Sequence, residues 1–477
     1  MVALESWLRA RLLPGRHTTY FEVLDALALE GCPICRLSLR AVDRYLDLLS
    51  YEAVNDAGVR VRLRAGRGFC NYHSWQFTGE VRNAAGRAMI YRDILGALER
   101  PLTHPGLRLA AGDEGAQTLA ERLLPAGSCP ACQSQERSRQ RYLETLVLHL
   151  GTPEMREAYR ASAGLCLPHL VQALRSAVGA ADVELLLAVA ARQVGRWRVA
   201  DRYGVRRFNT AIVAGIVGKP GISAGGNVAG PLAMHEMARA GDGGATCEPA
   251  APARGCPVCA AARAAVDEHL ARLPLMVQAR GPDEGPAAAL ALCNAHAWQG
   301  LALVSPGMAA RLWQPAARAI RRALGEVQGM PAAGTGPRGL LAWGERPGLG
   351  AAAALSLAQP CTACRTQAAM EQRAAQSLLE RAARGVETLQ ALCVPHFALA
   401  LRLGADAQQR SALLGQQAAT VADLRQDLAE YIRKQNFRVR EAPGKEADSP
   451  WRAVAQVAGA RGLAAGPLGW GQRGGSD

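Results

Sequence analysis

Twelve of the thirteen cysteines in this 477-residue chain fall into four copies of one pattern, Cys-x-x-Cys answered 29 to 35 residues later by Cys-x-x-His. The copies are Cys32, Cys35, Cys70, His73; then Cys129, Cys132, Cys166, His169; then Cys256, Cys259, Cys293, His296; and finally Cys361, Cys364, Cys393, His396. Redox motifs and chance both produce a lone Cys-x-x-Cys. Four copies, each with its own histidine, point to metal ligands. Thiolates and a neutral imidazole suit tetrahedral zinc, and four protein ligands leave no open position for a substrate. The sites therefore read as structural rather than catalytic, holding up to four zinc ions. Iron-sulfur ligation is the rival reading of the same residues.

The surroundings say what the metal holds together. Pro33 follows Cys32, and Leu39, Val42, Leu46 and Leu49 then step by three and four, as one face of a helix does. Proline is tolerated at a helix start, so the first cysteine pair sits where the positive end of the helix dipole favours thiolate. After His73 a second helical face appears at Ala84, Ala88, Tyr91, Leu95 and Leu98. Hydrophobic residues make up 49% of the chain but aromatics only 5%, so the cores are built from Ala, Leu and Val, a composition that favours helices over sheets. The expected fold is all-α: four tandem helical modules, each clamped by a three-cysteine one-histidine site.

The copies alternate. Copies one and three share Cys-Asn-x-His-x-Trp-Gln, at Cys70 to Gln76 and Cys293 to Gln299, and Ala-Val-Asp at Ala41 to Asp43 and Ala265 to Asp267. Copies two and four share Pro-His, at Pro168-His169 and Pro395-His396, together with Gln135 and Gln367. Duplication of a two-module unit leaves such an order, so the modules group as two pairs. The expected boundaries are modules at 20–110 and 118–203, a flexible Gly-rich linker at 204–250, modules at 251–328 and 359–438 around a Gly/Pro-rich linker at 329–358, and a poorly ordered tail at 439–477. Module four, with the shortest spacing and Thr362 where the others have proline, is the site most open to degeneracy.

Cys32-Pro33-Ile34-Cys35, the stretch Tyr51 to Asp56, and Arg67-Gly68-Phe69-Cys70-Asn71-Tyr72-His73-Ser74-Trp75 resemble a bacterial domain family of unknown function that pairs Cys-Pro-x-Cys with Gly-Phe-Cys-x-x-His-x-Trp. The resemblance covers about residues 20 to 100 and elsewhere rests on the ligands and a few neighbours. It supports the sites and implies no activity.

Asp43 and Asp267, about two turns into their helices, are candidate acceptors for orienting His73 and His296, set against a plain solvated helix face. Trp75 and Trp298 read as core anchors. Cys247 and the histidines at 17, 104, 149, 235 and 269 share no spacing and carry no expectation. No phosphate loop, paired carboxylates or ordered triad stands out, so the chain leans away from being an enzyme, and no small-molecule substrate is identified. A net charge of +14 raises nucleic acid as a partner, but only three basic residues are lysines (Lys219, Lys434, Lys445) and the other 52 of the 55 are scattered arginines. No window approaches the roughly 18 apolar residues of a membrane span, and no signal peptide is seen, so the chain is expected in the cytoplasm. Three functional classes remain: a zinc-stabilised scaffold with a protein partner, a redox-responsive or iron-sulfur protein, and a nucleic-acid-binding protein.

Overall fold

The computed structural model describes residues 17–80, 83–103, 113–197, 205–221, 255–279, 290–329, 347–356, 360–384, 391–404 and 406–463. Among these residues there are nineteen helices and no strand, as the composition and periodicity demand. The first half contributes α1 (Thr18–Leu27), α2 (Pro33–Tyr51), α3 (Ala57–Ala65), α4 (Asn71–Glu80), α5 (Ala84–Thr103), α6 (Asp113–Leu123), α7 (Pro130–His149), α8 (Pro153–Ala161), α9 (Leu167–Ser176), α10 (Ala180–Gly195) and α11 (Val205–Val217). The second contributes α12 (Pro257–Ala279), α13 (Asn294–Leu303), α14 (Pro306–Gly329), α15 (Leu349–Leu355), α16 (Thr362–Ala383), α17 (Val394–Arg402), α18 (Ala407–Lys434) and α19 (Ser449–Ala458).

Prolines open α2, α7, α8, α12 and α14, where a missing N–H leaves no bond unmade. All eight ligand pairs sit at helix starts, the Cys-x-x-Cys pairs at α2, α7, α12 and α16 and the Cys-x-x-His pairs at α4, α9, α13 and α17. A helix start is where unpaired backbone N–H groups and the positive dipole end favour a thiolate.

The helices gather into two compact units that do not follow chain order. One comprises Met1–Ala41, Gln135–Ile222 and Ala271–Pro360; the other comprises Val42–Ser134, Ser223–Leu270 and Cys361–Asp477. Each therefore draws segments from both halves of the chain, and three of the dividing points fall inside α2, α7 and α12. In the first unit α10 and α11 pack on α14, and α9 packs on α15, with Trp313, Tyr159 and Tyr20 fully buried. The Tyr20 hydroxyl donates to Glu154 at 2.8 Å, joining α1 to α8. In the second unit α18 lies along α5, α6 meets α17, and α19 meets α4 and α5. One continuous core there joins Leu46, Phe69, Phe77 and Tyr91 of the first half to Phe397 and Leu424 of the second. Each such side chain contributes about 1.5–3 kcal/mol by leaving water.

Three stretches differ from the linkers and tail expected above. Residues 205–217 form α11, with Ile212, Val213 and Ile216 buried, so the segment 204–250 is not linker from its start. Ala352 and Leu355 of α15 are buried within 329–358. The tail carries α19, with Ala453, Val454 and Val457 buried. These helices are short and glycines lie within or beside them, so helix punctuation was mistaken for linker composition. The remainder of these stretches, Cys247 included, lies outside the described residues.

Candidate metal centre

The sixteen ligands assemble into four groups of three cysteines and one histidine, but the partners are exchanged relative to sequence order. Cys32 and Cys35 meet Cys166 and His169; Cys70 and His73 meet Cys129 and Cys132; Cys256 and Cys259 meet Cys393 and His396; Cys293 and His296 meet Cys361 and Cys364. Each Cys-x-x-Cys thus closes with the Cys-x-x-His of the other copy in its pair, giving an outer and an inner site per half. The expectation that each module clamps itself is corrected. Helix lengths supply the reason: at 1.5 Å per residue, the 19 residues of α2 carry the chain about 28 Å from Cys32, and the 9 residues of α3 span only about 13 Å. Gln76 Nε2 accordingly donates to Asp43, halfway along α2, at 2.9 Å. The first group lies in the first unit, and the second and third lie in the second.

Within each group the four ligand atoms lie within 4.8 Å of one another, and every ligand is buried or half-buried. His169 Nδ1 stands 3.3, 3.5 and 3.1 Å from the sulfurs of Cys32, Cys35 and Cys166. His73 Nδ1 stands 3.3, 3.6 and 3.3 Å from those of Cys70, Cys129 and Cys132. His396 Nδ1 stands 3.4, 3.3 and 3.2 Å from those of Cys256, Cys259 and Cys393. In the fourth group Cys293 Sγ is 3.3 Å from His296 Nδ1. In the first three groups a pair of sulfurs lies 3.6 Å apart, too far for a disulfide bond of about 2.05 Å. Metal–sulfur bonds of about 2.3 Å and metal–nitrogen bonds of about 2.0 Å give tetrahedral edges of roughly 3.8 Å between sulfurs and roughly 3.5 Å from sulfur to nitrogen. The observed spacings match those of four donors around a single ion.

The electrostatics agree. Burial by itself would lower the His73 imidazole, but the Cys70 and Cys129 thiolates outweigh it and raise it to about 10. Burial opposes ionisation of Cys32, Cys129 and Cys256, yet hydrogen bonds from neighbouring thiols and the histidine hold all three well below the usual thiol range. Burial and that same sharing push Cys35, Cys166 and Cys393 up. A divalent cation held at the centre would supply the charge that lets all three thiolates coexist.

The far nitrogens of the histidines differ. His396 Nε2 lies 3.5 Å from Glu371 Oε1, a buried carboxylate that also accepts from Gln367 Nε2 at 2.7 Å. With a metal on the other ring nitrogen, such a carboxylate would fix the orientation of the imidazole. His73 Nε2 and His169 Nε2 are buried without a hydrogen-bond partner. Asp43 is exposed and receives Gln76, while Asp267 is half-buried on α12. Sequence reasoning overlooked Glu371, whose signal is its position seven residues after Cys364, two helical turns along the same face.

Asn71 and Asn294, which follow ligand cysteines, were seen as shared residues without a role. Asn71 Nδ2 donates to the carbonyls of Ala458 and Ala460, both at 2.8 Å, and Asn294 Nδ2 donates to those of Val217 and Lys219 at 2.7 and 2.9 Å. Trp298 is buried as a core anchor, and Trp75 is half-buried against Trp451. Each indole also donates to a carbonyl of the same loop, Trp75 to Gly459 at 3.1 Å and Trp298 to Gly218 at 3.0 Å.

Residues 18–184 match the model of a family of unknown function, DUF6062. The DUF6062 span contains the first eight ligands and hence both exchanged sites of the first half, so one match covers a pair of copies rather than a single module. Over 163 residues the chain is 26% identical to a protein of Caldicellulosiruptor sp. (strain Rt8B.4) described as "Uncharacterized 23.9 kDa protein in xynA 3'region", covering 34% of this chain and 73% of that protein. No solved structure matches.

Proposed function

We propose that the protein is a zinc-binding structural scaffold in which four ions each join the starts of two helices, and that the assembled helical surface serves a protein partner in the cytoplasm. The observation that carries this reading is the ligand spacing, that of four protein donors around one ion with no position left for substrate. A cluster of several irons holds its cysteines farther apart than a single ion does, so the same spacing favours zinc over an iron-sulfur centre. Twelve cysteines outside any disulfide suit a reducing compartment. Among the described residues no helix is long and apolar enough to cross a membrane.

Elemental analysis of protein purified without chelator tests the proposal, with close to four zinc ions per chain expected. Predominant iron with visible colour would favour the redox reading, and fewer than two equivalents after zinc reconstitution would end the scaffold reading. Affinity for nucleic acid that falls steeply with salt would move the function to the third class.

A further inference from the structure

Each half of the chain ends in the same short element. Residues 212 to 222 (Ile-Val-Ala-Gly-Ile-Val-Gly-Lys-Pro-Gly-Ile) align without gaps with residues 453 to 463 (Ala-Val-Ala-Gln-Val-Ala-Gly-Ala-Arg-Gly-Leu). Both run from a buried helical face, at α11 and α19, into a Gly-x-x-Gly turn. Gly218 and Gly459 take φ of 83° and 80°, and Gly221 and Gly462 take 83° within a degree or less, at 82° and 83°. Such values are strained for any residue with a Cβ.

The turns touch metal sites. The Ala460 N–H donates to Cys259 Sγ at 3.4 Å, and the Lys219 main chain hydrogen-bonds to Cys35. A Cβ at Gly459 would lie 3.5 Å from Cys259 Sγ and 3.7 Å from Cys393 Sγ, so this backbone forms part of the site wall. In both cases the turn supports the outer site of its own half.

The turns are gripped by the opposite half. Asn71 and Trp75, in the first half, spend three side-chain N–H groups on the carbonyls of residues 458 to 460. Asn294 and Trp298, in the second half, do the same to residues 217 to 219, and Asn294 Oδ1 also accepts from the Gly221 N–H at 3.2 Å. Asn71 directly follows ligand Cys70, and Asn294 directly follows ligand Cys293.

We propose that the two Cys-Asn-x-His-x-Trp segments are reciprocal clamps, each holding the glycine turn that walls and hydrogen-bonds the outer metal site of the other half. Asn71 and Trp75 are thus positioning residues for the site of Cys256, Cys259, Cys393 and His396. Asn294 and Trp298 are positioning residues for the site of Cys32, Cys35, Cys166 and His169. The proposal rests on these groups holding metal. It explains why asparagine and tryptophan occur in copies one and three only: the inner Cys-x-x-His helices carry the clamps, and the outer ones do not.

The test uses full-length, metal-loaded protein exposed to iodoacetamide in limiting chelator, with the modification rate of each cysteine mapped by mass spectrometry. Trp75→Phe keeps an aromatic ring but removes the indole donor, and Asn71→Ala removes the amide. Combined, they should speed modification of Cys256, Cys259 and Cys393 about tenfold, as the loss of hydrogen bonds to one buried turn implies, and leave Cys32, Cys35 and Cys166 at the parent rate. Trp298→Phe with Asn294→Ala should give the reverse pattern. Acceleration confined to Cys70, Cys129 and Cys132, uniform acceleration of all cysteines, or no change would overturn the proposal. Failure of the metal reading is seen separately, as ligand cysteines in the parent that react at free-thiol rates with and without added zinc.

Discussion

Cys70 shows how much depends on a single partner. In sequence order its loss would unclamp Cys32 and Cys35; in the structure it unclamps Cys129 and Cys132. Cys70→Ser is expected to remove about one metal equivalent and to open Cys129 and Cys132 to alkylation while Cys32 and Cys35 stay protected, as metal analysis with mapped alkylation will show. Protection lost at Cys32 instead would return the ligands to sequential pairing. Glu371 permits a finer measurement: carboxylates beside ligand histidines are typically worth about 10–100-fold in metal affinity, so Glu371→Gln should weaken the Cys256 site by that factor in a chelator competition. An unchanged affinity would make Glu371 a bystander.

At the scale of elements, helix starts do the work. Each three-cysteine one-histidine group joins the first turns of two helices, so an ion held there would spare either helix a large core of its own. The dependence on acid follows: ligand thiols must be deprotonated, so protons compete with the metal, and the stabilisation present at neutral pH is lost as pH falls. Melting temperature should therefore drop together with metal content on acidification, and a drop while all metal is retained would break that linkage. The glycine turns are the second element with a defined task. Gly459→Ala places a Cβ on a residue at φ 80° and ψ −179°, a region nearly closed to other residues, and is expected to cost about 1–3 kcal/mol, measurable by calorimetry on metal-loaded protein. A neutral effect would mean that the turn relaxes freely.

On the scale of the molecule, chain order and compactness part ways. Each compact unit takes segments from both halves of the chain, and within the second unit a single core joins Phe69 and Tyr91 to Phe397 and Leu424. A specific protease site inserted near residue 240 should therefore give two fragments on a denaturing gel that still elute together under native conditions. Fragments that separate without denaturant would restore two independent halves.

The cysteines and histidines that cluster, the all-helical class and the helix starts at Cys32 and Cys70 were legible in the sequence, because spacing, proline position and helical periodicity are local properties. Which Cys-x-x-Cys meets which Cys-x-x-His was not. That depends on how far α2 and α3 carry the chain and on where they turn it, and every copy offers a chemically equivalent partner. Asn71, Asn294 and the Gly-x-x-Gly turns were likewise visible as residues but mute as to role, since their partners lie in the opposite half of the chain. Metal chemistry is written in short-range pattern; the exchange of partners was decided only when helices of set length packed against one another.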